Sequence, residues 1–205
     1  MNEIELARKE DQIVTEELRK RGTQVNSAQD LMHTKEHYPQ AIPVLLEMLP
    51  KMQGYAMKEV IVRSLGVREA RGHAEPLLIS LFESSLSENS PDAESLRWAI
   101  ANTLEILGGG KGTSEPILRF LTDPRSGRSR GMLSVAVAKT KNRDAIPVLL
   151  KMLGGDEFTG FAAEGLGILR AEEAIPKLRI IAKEHGKAWV RQQAKTALKR
   201  LGVTD

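Results

Sequence analysis

The chain has only four histidines, and their spacing bears on whether it holds a metal ion. None of them lies in a His-Glu-x-x-His motif, and no dense cluster of acidic residues stands beside one. His33 and His37 are four residues apart, so they fit one face of a short helix, but the sequence offers no third ligand near them. We therefore predict an ordinary surface pair and no metal site. The histidines are His33, His37, His73 and His185.

Sequence motifs give no support to phosphate-loop or nucleophilic chemistry. Residues 108–113 read Gly-Gly-Gly-Lys-Gly-Thr, but a Walker A loop needs glycine five residues before its Gly-Lys pair, and that position is Glu105. No serine lies in a Gly-x-Ser-x-Gly motif, and the chain has no cysteine to act as a nucleophile or to form a disulfide. We predict no catalytic residue, no cofactor and no enzymatic activity.

Positive charge offers a different kind of site, because it is unevenly placed. The net charge is +3, and residues 177–200 hold eight Lys or Arg residues and one acid. Residues 125–130 read Arg-Ser-Gly-Arg-Ser-Arg just before a predicted helix, whose N terminus offers backbone donors to an anion. Arg125, Arg128 and Arg191 are therefore candidate anion-binding residues. The alternatives are a flexible surface turn at 125–130 and a solvated face on the last helix.

A repeated element must position these residues, and the prolines indicate what it is. The pattern Ala-Ile-Pro-x-Leu, or a close variant, recurs five times with its prolines at positions 43, 76, 116, 147 and 176. Spacings of 33, 40, 31 and 29 residues are typical of repeated helix pairs. Proline suits the first turn of a helix, so each copy predicts the start of a first helix. The first helices are predicted near 41–50, 74–86, 114–122, 144–153 and 173–184, and the second helices near 55–67, 93–107, 129–140, 157–169 and 187–201.

The second helices can be aligned on their last leucines. Residues 190–198 match residues 96–104 position for position, and residues 57–65 and 158–166 fit the same frame. We call one position of this frame the basic position. It holds Lys58, Arg97, Arg130 and Arg191, with Thr159 as the exception.

This pattern resembles the HEAT repeat, including the short variant found in phycobilin-lyase-like proteins. The resemblance rests on Ala-Ile-Pro-x-Leu in the first helix, on Val/Leu-Arg-x-x-Ala-x-x-x-Leu in the second and on a glycine turn after it, and it covers residues 41–202. It implies an all-α fold, namely a right-handed α-solenoid of about five helix pairs with the second helices along the concave face. It also implies that the basic position joins hydrogen bonds between successive repeats; the alternative is a role facing a ligand. Most members of the family bind other proteins.

Residues 1–40 lack the repeat and are predicted to cap it. Residues 3–21 read as an amphipathic helix. Ser27 is predicted to begin a short helix that contains Leu31 and Met32 and is stopped by Pro39. The end repeat of a solenoid needs a polar outer face, which favours a capping helix pair at 1–40 and one continuous solenoid at 41–205. The alternative is a separate helix that docks to a partner.

The register also predicts a binding groove. Glu59 aligns with Trp98 and Gln192, and Arg63 aligns with Asn102 and Thr196. Residues four apart share a helix face, so the pairs Glu59/Arg63 and Trp98/Asn102 should lie side by side on adjacent inner helices. Trp and Arg are frequent in binding hot spots, and together with Arg130 these two pairs form the predicted concave groove for a peptide or protein. The alternative for Trp98 is packing between repeats, with its indole N–H bonded to a carbonyl.

The leading prediction is a non-enzymatic scaffold that binds a peptide or protein. One alternative is nucleic-acid binding, as in HEAT-like DNA-repair glycosylases, and another is a protein that acts on a bilin, as the lyase-like repeats do. No apolar stretch approaches about 20 residues and the N terminus lacks a signal sequence, so we expect no membrane association and a cytoplasmic location. Nucleic acid would be held by Arg128, Arg130, Lys187, Arg191 and Lys195, with Trp98 or Trp189 stacked on a base.

Overall fold

The computed structural model describes residues 2–110, 112–155 and 157–203. Within these residues there are eleven α-helices and no β-strand, so the prediction of an all-α fold is confirmed. The helices are α1 (Glu3–Lys20), α2 (Ile42–Met48), α3 (Tyr55–Ser64), α4 (Glu75–Ser85), α5 (Pro91–Leu107), α6 (Ser114–Thr122), α7 (Arg130–Lys139), α8 (Ile146–Met152), α9 (Thr159–Leu169), α10 (Ile175–Glu184) and α11 (Ala188–Arg200). Short 3₁₀ segments lie in several of the connections between them.

Each of the five recurrent prolines lies in the first turn of a helix, as the repeat pattern predicts. Pro116 is the third residue of α6. The N–H groups of a first turn have no partner within the helix, so proline removes nothing there. The next helix after each of these, namely α3, α5, α7, α9 and α11, is the predicted second helix of its pair. The second residues of α2, α4, α8 and α10 are Pro43, Pro76, Pro147 and Pro176.

The chain divides into two compact units, Met1–Leu107 and Gly108–Asp205. In the first unit α3 and α4 each pack against α5, and α1 contacts both α2 and α3. Four positions of the repeat frame, Ile61, Leu65, Ile100 and Leu104, are fully buried there. The interior of this unit therefore contains the positions that the alignment of the second helices predicts.

The N-terminal segment agrees with the sequence prediction except at Pro39. Ser27 is the N-cap of a 3₁₀ helix, Ala28–Met32, and its Oγ accepts a hydrogen bond from the Gln29 N–H (3.1 Å). This helix ends at Met32, so the prediction that Pro39 stops it is wrong. Pro39 instead begins a second 3₁₀ turn, Pro39–Ala41, that leads into α2. A φ fixed near about −65° suits the first residue of a helical turn, which explains the difference.

Glu10 joins α1 to the start of α3. Its buried carboxylate accepts hydrogen bonds from the backbone N–H groups of Gln53 (2.7 Å) and Gly54 (3.2 Å). Gly54 is the N-cap residue of α3, so both N–H groups lie just before the helix. The carboxylate from α1 therefore fixes the segment that enters α3 and also opposes the positive end of the helix dipole.

In the second unit α9 packs between α7 and α11, and glycines allow the helices to approach closely. A Cβ at Gly165 would lie 2.9 Å from the Ser134 carbonyl oxygen of α7. A Cβ at Gly167 would lie 2.8 Å from the Cα of Ala197 in α11. Glycine costs about 1 kcal/mol relative to alanine inside a helix. We infer that close backbone contact on both sides of α9 outweighs this cost.

Candidate functional site

Two of the predicted groove residues form a polar network that a serine completes. Arg63 donates to Oε1 of Glu59 through both Nε (2.9 Å) and Nη2 (2.6 Å). Oε2 of Glu59 accepts a hydrogen bond from the Ser95 Oγ on α5 (2.9 Å). The Glu59 carboxylate therefore holds the guanidinium in place along α3 and also links α3 to α5.

Trp98 lies against this network. The Arg63 guanidinium carbon is 5.3 Å from the centroid of the Trp98 ring, which is the geometry of a cation–π contact. The Trp98 side chain is half-buried. Its indole N–H donates to no acceptor among the described residues, whereas the alternative prediction gave it a hydrogen bond to a carbonyl. Asn102, one turn further along α5, is also half-buried. Four predicted groove residues thus lie together on the facing helices α3 and α5.

Arg130, the fifth predicted groove residue, belongs to the second unit and makes different contacts. Its Nε donates to the carbonyl of Leu121 near the end of α6 (2.9 Å). Its guanidinium carbon lies over the Phe158 ring, 5.5 Å from the centroid. Arg130 therefore has no part in the network on α3 and α5.

The arginines of the basic position bind the end of the first helix in their own pair. Arg97 Nη1 donates to the carbonyls of Ser85 (2.6 Å) and Glu88 (3.0 Å), at the end of α4 and just after it. Arg191 Nη1 donates to the carbonyl of His185 (2.6 Å), the residue just after α10. Arg130 makes the same kind of contact at the end of α6. We call this contact of Arg97, Arg130 and Arg191 the turn clasp.

The turn clasp corrects the prediction made from the repeat family. The last carbonyls of an α-helix have no partner within the helix, so a long cationic side chain from the next helix can satisfy them. Each arginine bonds only to carbonyls of its own helix pair. The prediction that these bonds join successive repeats is therefore wrong. Thr159, the exception in sequence, still donates from Oγ1 to the Gly155 carbonyl in the turn after α8. Lys58 differs, since its Nζ lies over the Tyr55 ring, 5.4 Å from the centroid.

The candidate anion-binding arginines Arg125 and Arg191 have partners within the chain. Arg125 Nη2 lies 2.6 Å from Oδ2 of Asp123. The hydrogen bond from Arg125 holds the pKa of the Asp123 carboxyl below its ordinary value. Arg191 is engaged in the turn clasp, and Arg128, the third candidate, is exposed. Anion binding at these residues stays a prediction, and the paired carboxylate at Arg125 weakens the attraction there.

The segment that carries Arg125 and Arg128, Pro124–Ser129, consists of two 3₁₀ turns separated by a kink at Gly127, where the alternative interpretation expected a flexible turn. The hydroxyl of Ser126 is buried and donates to the Phe120 carbonyl (2.7 Å). Gly127 has φ 54° and ψ −137°, a backbone conformation that favours glycine. A buried hydroxyl and a glycine at positive φ therefore define the shape of this segment.

His33 and His37 are both exposed, but they do not share a helix. His33 lies just after the first 3₁₀ helix, whereas the His37 Nδ1 contacts the Glu69 carboxylate, and this contact lowers the pKa of Glu69. Beside it the Tyr38 hydroxyl donates to the Ser64 carbonyl (2.9 Å), and burial raises the pKa of Tyr38 to about 12. Among the described residues, no group of three or more His, Asp or Glu side chains is placed to hold a metal ion.

Trp189, which the nucleic-acid hypothesis would stack on a base, packs on the helices of its own unit. A Cβ at Gly160 would overlap the Trp189 ring, so the ring covers α9 at this point. Phe161 meets the indole edge to face, with 5.4 Å between ring centroids and an interplanar angle of 61°. Although 43% of Trp189 is exposed, one face of its ring is therefore already in contact with the protein.

Sequence reasoning missed Ser95 and Phe158. Ser95 stands one turn before Trp98, so a search for hydroxyl side chains facing Glu59 across the two aligned helices would have found it. Phe158 fills the first position of the repeat frame, at which Leu96 and Val190 are buried. Its own side chain is only half-buried and lies beside Arg130, and no sequence signal indicates this.

No family model, no curated protein and no solved structure matches the chain. In residues 2–110, 112–155 and 157–203, no helix combines the length and the apolar composition needed to cross a membrane.

Proposed function

We propose that this protein is a non-enzymatic interaction module that binds a segment of another protein on the face formed by α3 and α5. This face, the α3–α5 patch, consists of Glu59, Arg63, Ser95, Trp98 and Asn102. The observation that carries the proposal is the Arg63 guanidinium, held by Glu59 against the ring of Trp98.

The α3–α5 patch suits binding because its two largest side chains are ordered before a partner arrives. Trp and Arg are the residue types that most often dominate interface energies. Ordering a side chain costs about 0.5–1.5 kcal/mol, and for Arg63 and Trp98 this cost falls on folding instead of binding. Nη1 of Arg63 has no hydrogen bond within the described residues, so it can donate to a carbonyl or carboxylate of the partner. Asn102 offers both a donor and an acceptor one turn away.

The Glu59 carboxylate supports binding more than catalysis. It accepts two hydrogen bonds from Arg63 and one from Ser95, so most of its acceptor capacity serves to fix neighbouring side chains. Its role in the patch is therefore to position Arg63.

We also propose that the chain is a HEAT-like solenoid. In support, five helix pairs begin with a proline in the first turn, and second helices pack on one another within each unit, α3 with α5, and α9 with both α7 and α11. The proposal of one continuous solenoid over residues 41–205 rests on the sequence period alone. In such a fold the α3–α5 patch belongs to the concave face.

Selection from a random peptide library displayed on phage tests the proposed binding. Peptides enriched on the full-length protein are synthesised, and their Kd values are measured by fluorescence polarisation. Arg63→Ala should raise Kd about fivefold or more, because truncation of a hot-spot residue costs more than about 1 kcal/mol.

Arg71→Ala is the matched control, because it removes the same charge from an exposed site of the same unit outside the patch. It should change Kd less than about twofold. Enriched peptides that bind both variants as tightly as the wild type would place the interaction elsewhere and reject the α3–α5 patch.

A further inference from the structure

The second unit contains a pocket that the α3–α5 patch does not use. Its volume is about 570 Å³, within the range of about 300–1,000 Å³ that is usual for small-molecule sites. The end of α6, the start of α7, α8 and the residues Gly155, Glu157 and Phe158 form its walls. These elements come from two successive helix pairs.

One wall of the pocket is apolar and exposes surface that other copies of the repeat bury. Val148 and Phe158 are half-exposed in this wall, and Met152 lies beside them. Phe158 occupies the first position of the repeat frame, at which Leu96 and Val190 are buried. Apolar surface that is concave and exposed is typical of a binding site.

Two cationic side chains line the same pocket. Arg130 is anchored through Nε to the carbonyl of Leu121 and lies over Phe158, and its two Nη groups have no hydrogen bond within the described residues. Lys151 likewise has no ion pair or hydrogen bond in the described part of the chain. Glu157 also lines the pocket. Two cationic side chains with donor groups that are not used within the described residues therefore lie beside the apolar wall.

We propose that this pocket binds a small amphipathic carboxylate. Its carboxylate lies between Arg130 and Lys151, and its apolar body covers Val148, Met152 and Phe158. The planar fork of a guanidinium fits a carboxylate in bidentate geometry, and Lys adds a second charge. The apolar wall disfavours a sugar or nucleotide, whose hydroxyl groups would lose their hydrogen bonds to water.

Calorimetric titration of the full-length protein with decanoate tests this proposal. Decanol and decylammonium carry the same chain without the negative charge. We expect decanoate to bind, and both controls to bind about tenfold more weakly or worse, as the loss of a charge-assisted hydrogen bond predicts. The absence of decanoate binding, or equal affinity for decanol, would overturn the proposal.

A pair of charge reversals locates the site. Lys151→Glu should weaken decanoate binding about tenfold or more, whereas Lys183→Glu, at an exposed position of α10 outside the pocket, should change it less than about twofold. Because both lysines are exposed, both variants should keep the wild-type circular dichroism spectrum. Val148→Trp fills the pocket and should abolish binding. Equal affinities of the two charge variants, or unchanged binding in Val148→Trp, would contradict the assignment.

Discussion

The contact between second helices is polar in the first unit, whereas in the second unit glycine and aromatic side chains form it. In the first unit Glu59 accepts from Ser95, and the Thr103 hydroxyl donates to the Val62 carbonyl across the same two helices (3.0 Å). In the second unit a Trp189 ring covers Gly160 where α9 faces α11. The polar contact of the first unit leaves charged groups near the surface. The glycine contact of the second unit brings the helices close together.

The frame position just after the basic position explains why these contacts differ between the two units. It holds Glu59 and Trp98 in the first unit, but Gly131, Gly160 and, in the last helix, Gln192 in the second. A Cβ at either glycine would lie within 3.0 Å of an aromatic ring from a later helix, so a large side chain has no room there. Equivalent positions in a repeat therefore share a location but not a role, because the neighbouring helix decides which side chains fit.

The turn clasp occurs in both units, and removing it should have the largest effect where it is buried. Arg97 is 3% exposed, whereas Arg191 is half-buried. Arg97→Ala should lower the free energy of unfolding by about 3 kcal/mol, because buried carbonyls lose a charged donor. Arg191→Ala should lower the free energy of unfolding by about 1 kcal/mol, because water replaces the lost donor. Urea denaturation followed by circular dichroism measures both losses. Equal losses would contradict the expected difference between the buried Arg97 and the half-buried Arg191.

The glycine contacts of α9 should be the next most sensitive. Gly167→Ala places a Cβ 2.8 Å from the Cα of Ala197, a backbone atom that can move only if the helices separate. Overpacking costs about 1–3 kcal/mol, and the better helix propensity of alanine offsets about 1 kcal/mol of it. We expect a net loss of about 1–2 kcal/mol in thermal or urea unfolding. Gly186→Ala is the control, since nothing lies within 4 Å of its Cβ, and it should not destabilise the protein.

Alkaline pH should lower the stability of the first unit more than that of the second, because both tyrosines lie in the first unit. We expect this effect to be smaller than those of the substitutions above. Burial raises the pKa of Tyr38 from its ordinary value of 10 to about 12. Burial, and then the hydrogen bond to Glu88, raises the pKa of Tyr55 to about 12 as well. Their contribution to stability is complete below pH 10 and is lost as the pH rises towards 12, because the unfolded chain releases these protons first.

The first unit should therefore weaken over this pH range more than the second. The fluorescence of Trp98 in Trp189→Phe reports on the first unit, and that of Trp189 in Trp98→Phe reports on the second. We expect the Trp98 signal to change at the lower pH. The opposite order would show that the tyrosines do not control the alkaline transition.

Much of the fold could be predicted from the sequence because helix starts and helix periodicity are local. Proline in the first turn predicted the beginning of the helices at Pro43 and Pro147, and the aligned leucines predicted the buried Leu65 and Leu104. Pro39 was misread because the same fixed φ both ends one helix and begins another. Only the three-dimensional structure around a proline distinguishes these two cases.

The site was less predictable because it depends on distances across turns and between helices. The frame placed Arg63 beside Trp98, but it did not indicate that Glu59 would hold them together through Ser95. It aligned Arg97 with other basic residues, yet the carbonyls that Arg97 reaches are determined by the length of the turn between α4 and α5. Contacts of this kind leave no periodic signal in the sequence.

The central claim is that the α3–α5 patch binds a partner while the contact between α9 and α11 serves packing. The most direct test is the Kd of an enriched peptide for Trp98→Ala and for Trp189→Ala, measured at a temperature at which both are folded. We expect Trp98→Ala to raise Kd about 30-fold, as for a hot spot worth about 2 kcal/mol, and Trp189→Ala to change Kd less than about twofold. Equal changes in Kd, or a larger change for Trp189→Ala, would contradict the claim.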